Sequence, residues 1–298
     1  MKQLFILLLF CLASVISNAQ ITAIVKNPTD QKPIPYVNIW AENENIGVTA
    51  DENGKFTITA PIKSKLIFNA LGYDNKIMEA SKIDGVVYLI PKVFELKEVV
   101  VRTHQNELIE TNELDTKNIN LFFSSNNNNP WILSKYFENK STYEKTPYLK
   151  EVSVITNSTI NNAKFGIRIY SVGNDGSPKD LLTNNQLLGI AKKGKNISKI
   201  DVSNLYIKFP DNGIFIAVES MIMNSNVQTY EYKRKIDGKN KIEKITFYEP
   251  SFGRVMPDET PFIWLFTKGK WGKINFNEST RNEKFRSNKL AVELTLIN

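Results

Sequence analysis

Alternating apolar and polar residues recur along most of this chain, at the period of two that marks half-buried β-strands. Gln20–Lys26 (QITAIVK) is the first such run. Asn27-Pro28-Thr29-Asp30 then reads as a turn, since proline fixes φ and Asn and Asp bond nearby backbone. In Pro33–Trp40 the two prolines suit the entrance of an edge strand. Val37 and Ile39 are expected to face inward, with Asn38 and Trp40 facing out. The stretch Ile46–Tyr73 predicts a strand, a tight Asp51-Glu52-Asn53-Gly54 hairpin turn, a returning strand carrying Phe56 and Ile58, and a further strand at Leu66-Ile67-Phe68. Asn53-Gly54 supplies the positive φ such a turn needs. Gly72 is expected to turn the backbone so that Tyr73 closes one end of the core. With Val86–Ile90 and Leu96–Val101, this makes about seven short strands in roughly eighty residues, a small Greek-key sandwich.

Thr103–Thr146 is polar and without sustained periodicity, and it predicts a linker. Within it, Asn129 followed by Pro130 resembles a helix start, and Ile132, Tyr136 and Phe137 fall at i, i+4 and i+5, which predicts one short helix. From Tyr148 the pattern is β again. The clearest runs are 152–155, 165–170, 205–209, 214–218, 245–248, 263–266 and 291–296, with turn signals at Gly173–Gly176 and Asp237-Gly238. The reading is all-β: a small N-terminal sandwich over 20–102, a polar linker with the short helix over 103–146, and a larger C-terminal antiparallel β-sandwich of jelly-roll type over 147–298.

The N-terminus predicts export. Met1-Lys2 gives a positive start, Leu4–Ala13 is an apolar run too short to span a bilayer comfortably, and Ser17-Asn18-Ala19 offers small residues for cleavage after Ala19. Residues 1–19 are therefore read as a signal peptide, and the location as periplasmic, outer-membrane associated or secreted. Cys11, the only cysteine, lies within the leader, so the expected mature chain has no disulfide. No later apolar run suits a transmembrane helix. The formal charge of +7 favours acidic surfaces, but with an export signal nucleic acid is not expected as a partner.

Three segments, Pro33–Ile39, Gly47–Phe56 and Ala70–Tyr73, closed by Glu95–Val101, resemble the carboxypeptidase-like regulatory domain over about residues 20–102. The resemblance implies a transthyretin-like sandwich, common in envelope proteins of Gram-negative bacteria. That module has no catalytic residues of its own, so none is transferred. In nutrient receptors with this module, a segment similar to Leu96–Val101 can act by strand addition.

Chemistry-bearing motifs are sparse. His104 is the lone histidine, which excludes a zinc site or triad that needs two. No cofactor and no metal site is expected. Asp51–Gly54 lacks the ligand series of a calcium loop. The basic stretch Tyr232–Lys241 reads as a solvated hairpin tip. Glu219 and Asp201 are the carboxylates considered for a polysaccharide hydrolase. The aromatic cluster of Tyr248, Phe252, Phe262, Trp264, Phe266 and Trp271 is the strongest candidate. Phe262, Trp264 and Phe266 share strand parity, and Trp271 falls in a Gly-bounded polar loop where an exposed ring can stack on a sugar. Tyr248, Trp264 and Trp271 are the candidate ligand-binding residues. The expectation is an exported, non-enzymatic binding or scaffolding module for a glycan, a peptide or another envelope protein. Alternatives are a hydrolase using carboxylates of the C-terminal sandwich, and a transport or signalling accessory using strand addition at 95–101.

Overall fold

The computed structural model describes residues 18–92, 108–111, 114, 119–126, 128–236, 239–255, 263–274 and 289–298. The first domain is built from β1 (Asn18–Lys26), β2 (Asn38–Ala41), β3 (Gly47–Thr49), β4 (Lys55–Pro61), β5 (Lys65–Asn69), β6 (Lys76–Glu79) and β7 (Val86–Tyr88). They form two sheets, β4-β1-β7 and β3-β2-β5-β6, with β7 parallel to β1. Along β4 the predicted alternation is complete: Phe56, Ile58 and Ala60 are buried, while Lys55, Thr57 and Thr59 are exposed. The Phe56 and Phe68 rings, one from each sheet, meet edge to face at 5.7 Å between centroids. Tyr73 packs at the margin of this core, behind Gly72 at φ +80. The expected strand at Leu96–Val101 lies outside the described residues.

The Asp51–Gly54 turn differs from the expected hairpin. It is closed by Gly54 N–H donating to the Asp51 carbonyl at 3.0 Å, but β3 and β4 lie in different sheets. The turn is a corner between the two layers. Gly54 sits at φ +68, and a Cβ there would lie 2.7 Å from the Val25 carbonyl oxygen. Hairpins and corners both need a reversal with positive φ, so the local sequence does not separate them.

The second unit contains β8 (Leu108–Glu110), β9 (Leu121–Ser125), β10 (Trp131–Phe137), β11 (Tyr148–Ser158), β12 (Ala163–Val172), β13 (Pro178–Leu181), β14 (Leu187–Ala191) and β15 (Gly194–Asp201). It continues with β16 (Ile214–Ser220), β17 (Val227–Ile236), β18 (Lys239–Val255), β19 (Ile263–Thr267), β20 (Lys270–Ile274), β21 (Lys289–Leu290) and β22 (Val292–Ile297). One sheet runs β13-β12-β16-β10-β19-β20, with β14 also on β12. The other runs β17-β18-β11-β22-β8, with β15 on β11 and with β9 and β21 on β18. Ile167, Ile169, Ile216 and Val218 from the first sheet pack against Val152, Phe252, Val292 and Leu294 from the second.

Two sequence expectations for 103–146 are corrected here. β8, β9 and β10 lie in the segment read as a linker, and each pairs within the C-terminal sheets. The helix expected after Asn129 is strand β10, held between β16 and β19. Over Ile132–Ser134 both faces of β10 are buried: Ile132 joins the cluster at the first domain, while Leu133, like Phe137 further on, joins the sandwich core. A strand buried on both faces loses clean alternation, and its apolar spacing then imitates a helix.

The seven-stranded sheet packs its second face on the first domain. Ile132, Tyr170, Phe215, Ala217 and Phe266 meet Trp40 and Ile67. Asn38 and Trp40 therefore do not face solvent: both are 0% exposed. They point away from their own sandwich, as the alternation requires, but into the neighbouring domain. The Trp40 indole N–H donates to the Pro130 carbonyl at 2.8 Å, and the Ile222 N–H donates to Thr49 Oγ1 at 2.9 Å. Among the described residues, no helix is long and apolar enough to cross a membrane.

Candidate ligand-binding site

The hairpin β19–β20 forms one edge of the seven-stranded sheet, with Thr267 opposite Lys270 across a two-residue turn. Lys268 and Gly269 both have positive φ, at 51° and 79°, as a tight primed turn requires. Alternation along β19 divides its side chains. Ile263 and Leu265 pack into the sandwich, while Trp264 and Phe266 belong to the opposite face. This matches the shared parity expected for Trp264 and Phe266; Phe262 lies outside the described residues.

Trp271 is not in a loop. It pairs with Phe266 on β20, half-buried, and its ring meets Phe266 and Tyr170 edge-on, each at 5.3 Å between centroids. The turn is only two residues long, so hairpin pairing draws Trp271 into the sheet. Trp264 is also half-buried, and the ammonium of Lys273, its cross-strand partner, lies 5.9 Å from the centre of its ring.

A cavity of about 440 Å³ opens beside this hairpin. Trp264, Tyr136 and Phe215 contribute aromatic surface to it, and Lys135, Lys273 and Lys289 contribute cations. No Asp or Glu is among its described lining residues. Lys135 donates to the Val292 carbonyl at 2.8 Å, and its ammonium lies 4.6 Å from the centre of the Phe137 ring. Burial lowers its pKa to about 8, helped by the like charge of Lys289 and opposed by Glu293.

Tyr248 lies elsewhere, on β18 in the other sheet. Its hydroxyl donates to Asn128 Oδ1 at 2.8 Å, burial raises its pKa, and it lines a separate cavity of about 160 Å³ with Tyr230 and Phe247. The structure thus joins Trp264 and Trp271 on one hairpin face and leaves Tyr248 apart. Phe252 is buried in the sandwich core. Sequence reasoning missed Lys135, Tyr136, Phe215 and Lys289. Lys135 and Tyr136 were hidden by the helical reading of β10, and nothing local marks Lys289.

The carboxylates considered for hydrolysis do not share a site. Glu219 is buried on β16, where it accepts from Arg168 Nε at 2.8 Å and Nη2 at 2.6 Å and also from Asn38 Nδ2. Arg168 Nη1 reaches Asn69 Oδ1 at 3.0 Å, so the network ties both domains. Asp201 is exposed on β15 in the other sheet, where hydrogen bonds from Ser203 lower its pKa. Among the described residues, no group of three or more His, Cys, Asp or Glu is placed to hold a metal ion. Asp51 Oδ1 accepts from the N–H groups of Asn53 and Lys55 and so serves the turn. The basic stretch falls on the β17–β18 hairpin, where Arg234 and Lys244 lie near Glu243 and Glu231. His104 and Asp237-Gly238 lie outside the described residues.

Among solved structures, the chain is similar to the cysteine protease and lectin-like domains of Cwp84, a surface layer associated protein of Clostridium difficile. The identity is 9% and the TM-score 0.39, over 94% of this chain and 58% of that one. It is also similar to infectious bursal disease virus Gx strain, at 11% identity and a TM-score of 0.26, over 96% of this chain and 58% of that one. The chain thus spans less than two thirds of either. A search of curated proteins gives no match. Residues 22–101, which span the first β-module, match the family model of the CarboxypepD_reg-like domain.

Proposed function

We propose that this protein is an exported, non-enzymatic binding protein of the cell envelope that holds a glycan in the cavity beside the β19–β20 hairpin. The carrying observation is the cavity itself, about 440 Å³ with Trp264, Tyr136 and Phe215 in its lining. Pockets of a few hundred Å³ with aromatic walls suit one or two sugar rings, whose apolar faces stack on indole and phenol. The CarboxypepD_reg-like domain acts as a support. Its Trp40 and Ile67 pack against the face that carries Phe266, Trp264 and Trp271, and so hold the hairpin in place. The leader-like residues 1–19 support export, and cleavage after Ala19 keeps Gln20–Lys26 of β1.

The test is a glycan array followed by calorimetry on the chain from Gln20, as wild type and Trp264→Ala. The reading expects a saccharide ligand whose affinity falls at least about tenfold in the variant, as loss of a stacking ring does. Binding unchanged by Trp264→Ala, or no saccharide bound at all, would sink it.

A further inference from the structure

We infer that the saccharide this cavity takes is anionic, carrying carboxylate or sulfate groups that Lys135 and Lys289 neutralise. The inference rests on the glycan-binding reading above and names the ligand class for the same site. Lys135, Lys273 and Lys289 reach the lining from three strands, β10, β20 and β21, and the described lining offers no carboxylate in return. Lysine heads normally remain in water, where single-sign clustering costs little. Here Lys135 is set into the fold, donating to the neutral Val292 carbonyl and lying over the face of the Phe137 ring. Lys289 makes no ion pair among the described residues, and its charge opposes that of Lys135.

A neutral sugar would cover the rings and leave these charges facing one another in a drier site. A sugar acid would stack on Trp264 and accept charge-assisted hydrogen bonds from the ammonium groups. The charged groups facing Lys135 are Lys289 from β21 and Glu293 from β22, and Lys273 stands across the cavity on β20. Because Lys135 titrates near pH 8, part of the preference for an anion should disappear as the pH rises from 7 to 9.

The experiment compares matched oligosaccharides by calorimetry: oligogalacturonate, sulfated galactan fragments and uncharged galactan fragments, with poly-glutamate as a peptide control. The first two arms separate carboxylate from sulfate. Wild type is expected to bind one charged series at least about tenfold more tightly than the neutral one, and less so at higher salt. Lys289→Met should cut that ratio severalfold, and Lys135→Met/Lys289→Met should bring it near one. Circular dichroism confirms that each variant is folded. Equal binding of charged and neutral sugars overturns this inference and leaves the glycan-binding reading standing, as does a charge preference that survives the double variant. Tight binding of poly-glutamate with no saccharide bound overturns both.

Discussion

Arg168 holds Glu219 by two hydrogen bonds, from Nε at 2.8 Å and from Nη2 at 2.6 Å, with both side chains at most 5% exposed beneath the docked first domain. Burial alone would lower the Arg168 pKa, but the Glu219 carboxylate and Tyr170 together outweigh this and leave it raised. Removing one partner strands a buried charge, so Arg168→Met or Glu219→Leu should each cost about 3–5 kcal/mol. Replacing both together should cost much less than the sum. Urea denaturation of the two single variants and the double variant measures this, and additive losses would contradict it.

Trp40→Ala should loosen the join between the domains. It removes the largest fully buried side chain of the interface, its edge contact with Phe266 at 5.8 Å and its bond to Pro130. The expected loss is about 3–5 kcal/mol. Gly47→Ala should act on the same join more mildly, because its Cβ would lie 2.5 Å from Pro130 Cδ. About 1–3 kcal/mol is expected there. Calorimetric melting should also show whether the domains then unfold in separate steps.

Lys135→Met should raise stability at pH 7. The native pKa, lowered from 10.5 to about 8, means that the unfolded chain holds the proton more tightly. Stability gained from the neutral amine is full above the unfolded value and is lost as the pH falls through 8. The upper limit is ~3 kcal/mol, less what the lost bond to Val292 returns. Melting curves between pH 7 and 10 should converge for wild type and variant as the pH rises. Curves that diverge would mean that the amine is not the cause.

Trp271→Ala and Tyr248→Phe should separate a braced ring from a peripheral one. Trp271 leans on both Phe266 and Tyr170, so its loss should cost on the order of 2–4 kcal/mol. Tyr248→Phe removes one bond to exposed Asn128 and should cost under about 1 kcal/mol. Denaturant midpoints decide between these outcomes.

Legibility in the sequence followed the number of buried faces. β4 has one buried face, and its alternation was plain. β10 has two over Ile132–Ser134, and its apolar spacing imitates a helix. β8 and β9 are short strands set between stretches with no pattern of their own, and they take their structure from partners far along the chain, Leu296 and Phe252 among them. The candidate site was half legible. The parity of Trp264 and Phe266 could be counted along one strand, whereas Lys135 and Lys289 meet only because the two sheets are stacked.

The all-β class and the shared parity of Trp264 and Phe266 are legible along the chain because they rest on local periodicity and turn chemistry, whereas the resemblance of the first module rests on its motifs. The tertiary structure decided that Asn38 and Trp40 face a neighbouring domain, that Glu219 is an anchor held by Arg168, and that Trp271 is braced within a hairpin. Alternation says only which side of a sheet a residue takes. What lies on that side is set by contacts between residues distant in the chain, and no local pattern records them.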